Sequence, residues 1–179
     1  QGVSSAASDV YKRQGFDSIP GTDLRGRMRW MGLYTQRKQG IDGGKTATLA
    51  PEELDDEYFM MRVRIDGGQL SREQLRVLAS ISTDFARSTA DITDRNNIQY
   101  HWIAIEDVPE IWRRLEAVGL DTLEACGDCT RTTLGSPVAS VHPDEVIDAT
   151  PAIEFIKANY VGDPDPVSYT HLTLPTILL

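Results

Sequence analysis

Two stretches of this chain alternate apolar and polar residues as a strand with one buried face must, and each leads into an amphipathic helix. In Tyr58–Ile65 (YFMMRVRI), Phe59, Met61, Val63 and Ile65 share one face, and Met60, Arg62 and Arg64 share the other. In Asn97–Ile105 (NIQYHWIAI), a strict period of two puts Gln99, His101 and Ile103 on one side and Ile98, Tyr100, Trp102 and Ala104 on the other. After the first run, Asp66-Gly67-Gly68 turns the chain. Ser71, with Gln74 three residues on, then opens a helix as a capping box. Its expected apolar stripe is Leu75, Leu78, Ile81 and Phe85. After the second run, Asp107, with Glu110 three residues on, is expected to cap a helix striped by Val108, Ile111, Trp112, Leu115 and Val118. Gly119 stops that helix.

Shorter elements complete the pattern. Thr89–Thr93 reads as a short strand, joined to the next by a polar turn, and Thr122–Cys126 reads as a fourth strand. A third helix is expected over Ala149–Tyr160. The order strand–helix–strand–strand–helix–strand predicts an α+β fold: a ferredoxin-like split βαβ half-domain, its antiparallel sheet covered by helices on one face. Ahead of it, Gly15–Gly44 is basic, aromatic and poorly periodic, and reads as extended chain wrapping over the rest. Ala50–Glu57 reads as a short helical turn beginning at Pro51. The expected organisation is a wrapping segment over 15–57, the half-domain over 58–125 and the start of a further domain over 126–166. Gln1–Gln14 and Val167–Leu179 join the middle through no cap, turn or shared period. They read as adapter-like flanks and are left out of the fold.

Composition narrows the function classes. The whole chain carries a net charge of −9, and residues 15–166 alone carry −10. Such an excess argues against sequence-blind binding to nucleic acid, while leaving room for a local basic site. No apolar run has the ~18 residues of a membrane span. Two cysteines make no disulfide framework, so the cytoplasm is the expected compartment.

The residues with chemical potential are few. Arg62 and Arg64 leave the first strand in the same direction, and two guanidinium forks there suit an oxyanion as well as they suit ordinary salt bridges. His101 shares a face with Gln99. Thr93 and Arg95 stand at the turn, where Arg95 has the reach to meet a carboxylate. Cys126 and Cys129 form a lone C-x-x-C, half of a zinc site or a dithiol, with no second pair to complete a tetrahedral site. No metal site is expected from these residues, and spacing alone names no substrate.

Four blocks, in order and correctly spaced, carry a resemblance: GRMRWMGLYTQRKQG (Gly26–Gly40), YFMMRVRIDGGQLSREQL (Tyr58–Leu75), ADITDRNNIQYHWI (Ala90–Ile103) and LEACGDCTRTTLGSP (Leu123–Pro137). Together they resemble the siroheme-dependent sulfite/nitrite reductases of the ferredoxin-dependent type. The resemblance implies an enzyme that reduces sulfite, or alternatively nitrite, by six electrons at a siroheme coupled to a [4Fe–4S] cluster, with ferredoxin as donor. It implies Arg62 and Arg131 as the arginines that hold the substrate anion. Thr93, Arg95 and Gln99 match positions that contact the siroheme carboxylates, with Arg64 and His101 in the same surroundings. Some relatives join a tyrosine and a cysteine at the positions of Tyr34 and Cys126. The family's catalytic lysines and its four cluster cysteines would lie beyond Pro166, so residues 15–166 are expected to be inactive alone. A monomer that binds neither nucleic acid nor membrane is expected. The competing readings are a stand-alone ferredoxin-like binding module and a dithiol or zinc protein built on Cys126 and Cys129.

Overall fold

The structure, a computed structural model, describes residues 19–41, 49–50, 53, 55–125, 132–136, 138–139 and 141–161. In chain order its elements are α1 (Gly21–Arg25), α2 (Arg27–Trp30), β1 (Leu33–Arg37), β2 (Asp55–Val63), α3 (Arg72–Phe85), β3 (Asp91–Ile92), β4 (Ile98–Ile103), α4 (Val108–Glu116) and α5 (Thr150–Tyr160). The strands form one antiparallel sheet in the order β1-β2-β4-β3. This is the α+β, ferredoxin-like arrangement read from the sequence.

The core forms where the periodicity places it. Phe59, Met61 and Val63 of β2 are fully buried. They join Ile98 and Tyr100 of β4, Leu78 and Ile81 of α3, and Ile111, Trp112 and Leu115 of α4 in one cluster. Burying side chains of this size contributes about 1.5–3 kcal/mol each. The Tyr100 hydroxyl donates to the Leu78 carbonyl at 2.8 Å, so the phenol enters the core with its polar end satisfied. Burial raises the Tyr100 pKa, as expected for a phenolate kept from water.

The helix ends are decided by local chemistry. Ser71 accepts from the Gln74 amide at 3.1 Å, and the Gln74 side chain accepts from the Ser71 amide at 2.9 Å, completing the capping box. Asp107 behaves otherwise. Its backbone is already helical (φ −86°, ψ −19°), and its side chain makes no capping bond. Pro109 in the first turn of α4 removes one of the amides that would need a cap.

Four expectations give way to tertiary structure. The outer strand beside β2 is β1, while Thr122–Ala125 forms no strand. Among the described residues of that neighbourhood, Asp121 alone pairs in strand fashion, through an isolated bridge to Arg64 just beyond β2. Residues 27–37 are two-part: the short helix α2, then β1, where continuous extended chain was expected. Leu75 is 59% exposed, so the stripe of α3 narrows to Leu78 and Ile81, with Val77 and Phe85 packed at its margin.

The fourth concerns the faces of β4. Phe59 pairs with Ile103 but Met61 pairs with Tyr100, so β4 holds one residue more than β2 across this interval. Trp102 sits in this bulge at φ +60°. The bulge reverses the alternation, so that Ile103 turns into the core and is fully buried instead of sharing a face with Gln99 and His101. The Trp102 amide donates to Gln36 Oε1 at 2.9 Å. Gln36 itself lies at an irregularity of β1, between Thr35 and Arg37.

Candidate functional site

The sheet face opposite the helices carries the polar residues. Arg62 lies directly across from Gln99. With the Gln99 amide oriented to satisfy both groups, its oxygen accepts from Arg62 Nη2 at 2.7 Å and from Nε at 3.0 Å. Arg62 Nη1 donates to the Ala125 carbonyl at 3.1 Å. The guanidinium also stands 5.3 Å from the centre of the Tyr34 ring, with Arg29 at 5.8 Å from the same ring. These contacts hold Arg62 in one pose. An arginine has five N–H donors. Among the described residues, three of Arg62's are engaged and two are not.

Along the same face, His101 Nε2 lies 3.0 Å from Asp91 Oδ2, joining β4 to the edge strand β3. Thr93 and Arg95 close the β3–β4 turn. The Thr93 hydroxyl accepts from the Asn97 amide at 3.1 Å, and Arg95 Nη2 donates to the Thr132 carbonyl at 3.0 Å. The open face thus brings together Tyr34, Arg62, Gln99 and His101, with Arg95 at its end.

Arg64 has a different environment. It follows β2 by one residue and bridges Asp121, residues 121–125 pack over it, and its side chain has no exposure. Its Nε donates to Asp66 Oδ2 at 2.8 Å, and its Nη1 approaches the Leu123 carbonyl at 3.4 Å. Period-two reading assigns a residue to a face and says nothing of what later chain covers that face. Cys126, Cys129 and Arg131 lie outside the described residues.

Four residues of this neighbourhood were missed from sequence. Gln36 takes up the Trp102 amide. Asn97, 2% exposed, accepts from the Ile65 amide through Oδ1 at 3.2 Å. Glu124, also buried, accepts from the Trp30 indole at 3.1 Å, and its own amide donates to the Trp30 carbonyl at 2.8 Å. Asp66 binds Arg64 and the Thr133 amide together. Only Asp66 had a sequence cue, an acid two residues after an arginine at a turn, and that cue alone is weak.

Asp121 provides a pH-dependent element beside the site. Burial raises its pKa, and the charges of Lys157 and Arg64 and the Leu123 amide offset this only in part. A carboxyl whose folded pKa is raised binds more protons in the folded than in the unfolded state between the two values. Stability therefore falls as pH rises through that window and levels off above it. Asp121→Asn is expected to remove this fall, so the variant gains on the wild type from about pH 4 towards neutrality. Urea midpoints across that range test this, and a difference that does not vary with pH would count against it.

Comparison with known proteins places this geometry in context. The profile of the nitrite/sulfite reductase ferredoxin-like half domain matches residues 52–118, which contain β2, α3, β3, β4 and α4. The sulfite reductase [ferredoxin] of Mycobacterium tuberculosis is 61% identical over 163 residues, 91% of this chain and 29% of the relative. Residues 52–118 belong to the nitrite/sulfite reductase half-domain family. The chain spans about 29% of the length of the curated sulfite reductase it matches. The ferredoxin–nitrite reductase of Leptolyngbya laminosa is 35% identical over 167 residues, 90% of this chain and 29% of the relative. The solved structure of the Mycobacterium tuberculosis NirA protein superposes with a TM-score of 0.83 at 62% identity, covering 88% of this chain and 29% of that one. Among the described residues, no helix is long and apolar enough to cross a membrane.

Proposed function

We propose that this chain supplies the anion-facing sheet of a ferredoxin-dependent sulfite reductase. The observation that carries the reading is Arg62, held by Gln99 and the Ala125 carbonyl, with two N–H groups that no other described residue engages. A guanidinium held in this way is preorganised for a small oxyanion, because no reorganisation is needed when charge develops on its oxygens. Sulfite is favoured over nitrite by the difference in identity, 61% to a sulfite reductase against 35% to a nitrite reductase. Arg131 would be the second anion arginine.

The family implies a siroheme and a [4Fe–4S] cluster. The donor set suits the first. Arg62, Gln99 and His101 gather on one face, and the acid beside them, Asp91, is already engaged by His101. A macrocycle rich in carboxylates meets donors there. Gln99, Arg95, Thr93 and His101 would hold its carboxylates, with Arg64 acting through its position beneath residues 121–125. A [4Fe–4S] cluster ordinarily needs four cysteine thiolates, and this chain has two cysteines, so further chain would supply its ligands. When bound, the pair of cofactors would deliver electrons received from ferredoxin. This chain's own residues would orient the anion and balance its negative charge as oxygen leaves. Tyr34, whose ring lies against Arg62, would wall one side of that space, and a link to Cys126 would rigidify it. We place the protein in the cytoplasm, acting as a monomer.

The test is the full-length protein. It should purify with siroheme absorbance, oxidise reduced ferredoxin when sulfite is added, and show a higher kcat/KM for sulfite than for nitrite. A preference for nitrite would move it to the sibling activity. Absence of any bound tetrapyrrole after expression with siroheme biosynthesis would overturn the reading.

A further inference from the structure

Glu124 combines two costly features. Its backbone is left-handed, at φ +49°, a conformation that favours glycine. Its carboxyl group is buried, and one oxygen, Oε2, has no hydrogen-bond partner among the described residues. Backbone strain of this kind persists where the surroundings over-determine it, and it clusters at functional sites. Trp30 supplies the constraint. Its indole Nε1 donates to Glu124 Oε1 at 3.1 Å, and its carbonyl accepts from the Glu124 amide at 2.8 Å. The residues on either side of Glu124 face the two arginines at the end of β2. The Leu123 carbonyl accepts from Arg64 Nη1 at 3.4 Å, and the Ala125 carbonyl accepts from Arg62 Nη1 at 3.1 Å. Arg62 is also tied at its backbone, where its amide donates to the Gly32 carbonyl at 2.9 Å. These contacts close a ring. It runs from the Arg62 amide to Gly32, back along the chain to Trp30, across to Glu124, on to Ala125 and so to the Arg62 guanidinium.

We propose that Glu124 is a positioning residue for Arg62: by clamping Trp30 it fixes the turn that delivers the Ala125 carbonyl to the guanidinium, and so sets the direction in which Arg62 presents its other N–H groups. Gln99 meets the guanidinium through a single oxygen, about which the guanidinium plane can pivot. The Ala125 carbonyl, on the third nitrogen, stops that pivot. Ala125 follows Glu124 directly, and Gly32 lies two residues after Trp30, so the ring has little slack with which to keep this carbonyl in place once the clamp opens. Away from water the bonds of the clamp hold their geometry. The role in aiming Arg62 at an anion rests on the function proposed above; the clamp between Glu124 and Trp30 does not.

The informative comparison is Glu124→Gln against Glu124→Gly. Glutamine keeps an oxygen for the Trp30 indole. Glycine removes the clamp and suits the left-handed backbone, so the variant is expected to fold. In the full-length protein, protection of the residue 124 amide from hydrogen exchange is expected to be about tenfold lower in the glycine variant than in the glutamine variant. The glycine variant is also expected to show a sulfite KM raised about fivefold or more over the glutamine variant, with kcat and siroheme content matched. Placed on Arg62→Lys, which already lacks the planar fork, the same two substitutions are expected to give equal KM values. Equal protection in the two single variants would overturn the clamp and the proposal with it. Lower protection with equal KM would overturn the positioning role, since a merely structural bond changes the folded fraction and leaves KM alone. A KM difference that persists on Arg62→Lys would also overturn it, because Glu124 would then act by a route other than Arg62. If the wild type prefers nitrite, the same pattern in nitrite KM supports the proposal although the sulfite reading fails. If the wild type reduces neither anion, the positioning role falls with that reading, while the difference in protection stands.

Discussion

Gly32→Val is expected to destabilise the fold by about 3–5 kcal/mol, a large share of the roughly 5–15 kcal/mol available to a domain. Gly32 joins α2 to β1 at φ +79°. A Cβ built there would lie 2.2 Å from the Thr122 carbonyl oxygen and 3.0 Å from that of Arg62. Both obstacles are backbone, so no rotamer change relieves them. The Gly32 carbonyl also accepts from the Arg62 amide at 2.9 Å, and Thr122 is pinned from two sides: its hydroxyl donates to the Met31 carbonyl and accepts from the Trp112 indole. To make room, the chain must separate β1 from residues 121–125, and with them the Ala125 carbonyl that steadies Arg62. Gly40→Ala is the control. Its φ is +82°, yet nothing lies within 4 Å of the new Cβ, so only backbone strain of about 1–2 kcal/mol is expected. Urea unfolding of the two variants separates clash from strain. Equal midpoints for both would show that the close approach of Thr122 to Gly32 does not matter.

On the function proposed above, Arg62→Lys is expected to lower kcat/KM for sulfite by about 10²-fold in the full-length protein, with the thermal midpoint little changed. Lysine keeps the charge and most of the stem but loses the planar fork. In the wild type that fork spends Nη2 and Nε on Gln99 and one N–H of Nη1 on Ala125, and it presents the remainder in a set direction. An ammonium in its place bonds to Gln99 or to Ala125 and no longer does so while facing the anion. The fold tolerates the change because Arg62 lies on the open face, away from the buried side of β2. Retention of near wild-type kcat/KM in a well-folded variant would remove Arg62 from the anion site.

The two predictions draw on different kinds of information. Arg62 was visible in the sequence, as one of two arginines spaced by two on an alternating strand, and the family resemblance made it a candidate for the anion. That Arg62 remained open while Arg64 was buried was not visible. The two residues have the same local pattern, and they differ only because residues 121–125, some sixty positions later, cover one of them. Gly32 could be read as a turn residue. Its contact with Thr122, ninety positions away, could not.

Strands β2 and β4, the capped helix after Ser71, the apolar face of β2 and the resemblance of these blocks to the nitrite/sulfite reductases were legible in the residues alone. Those features rest on interactions between residues close along the chain, where periodicity and capping chemistry act directly. The tertiary structure alone decided the rest. It placed β1 at the outer edge, turned Ile103 inward at the Trp102 bulge, buried Arg64 against Asp66 and docked Thr133 at the end of β2. Each of these follows from which distant segment reaches an open strand edge or an unpaired polar group first, and a local period carries no record of that competition.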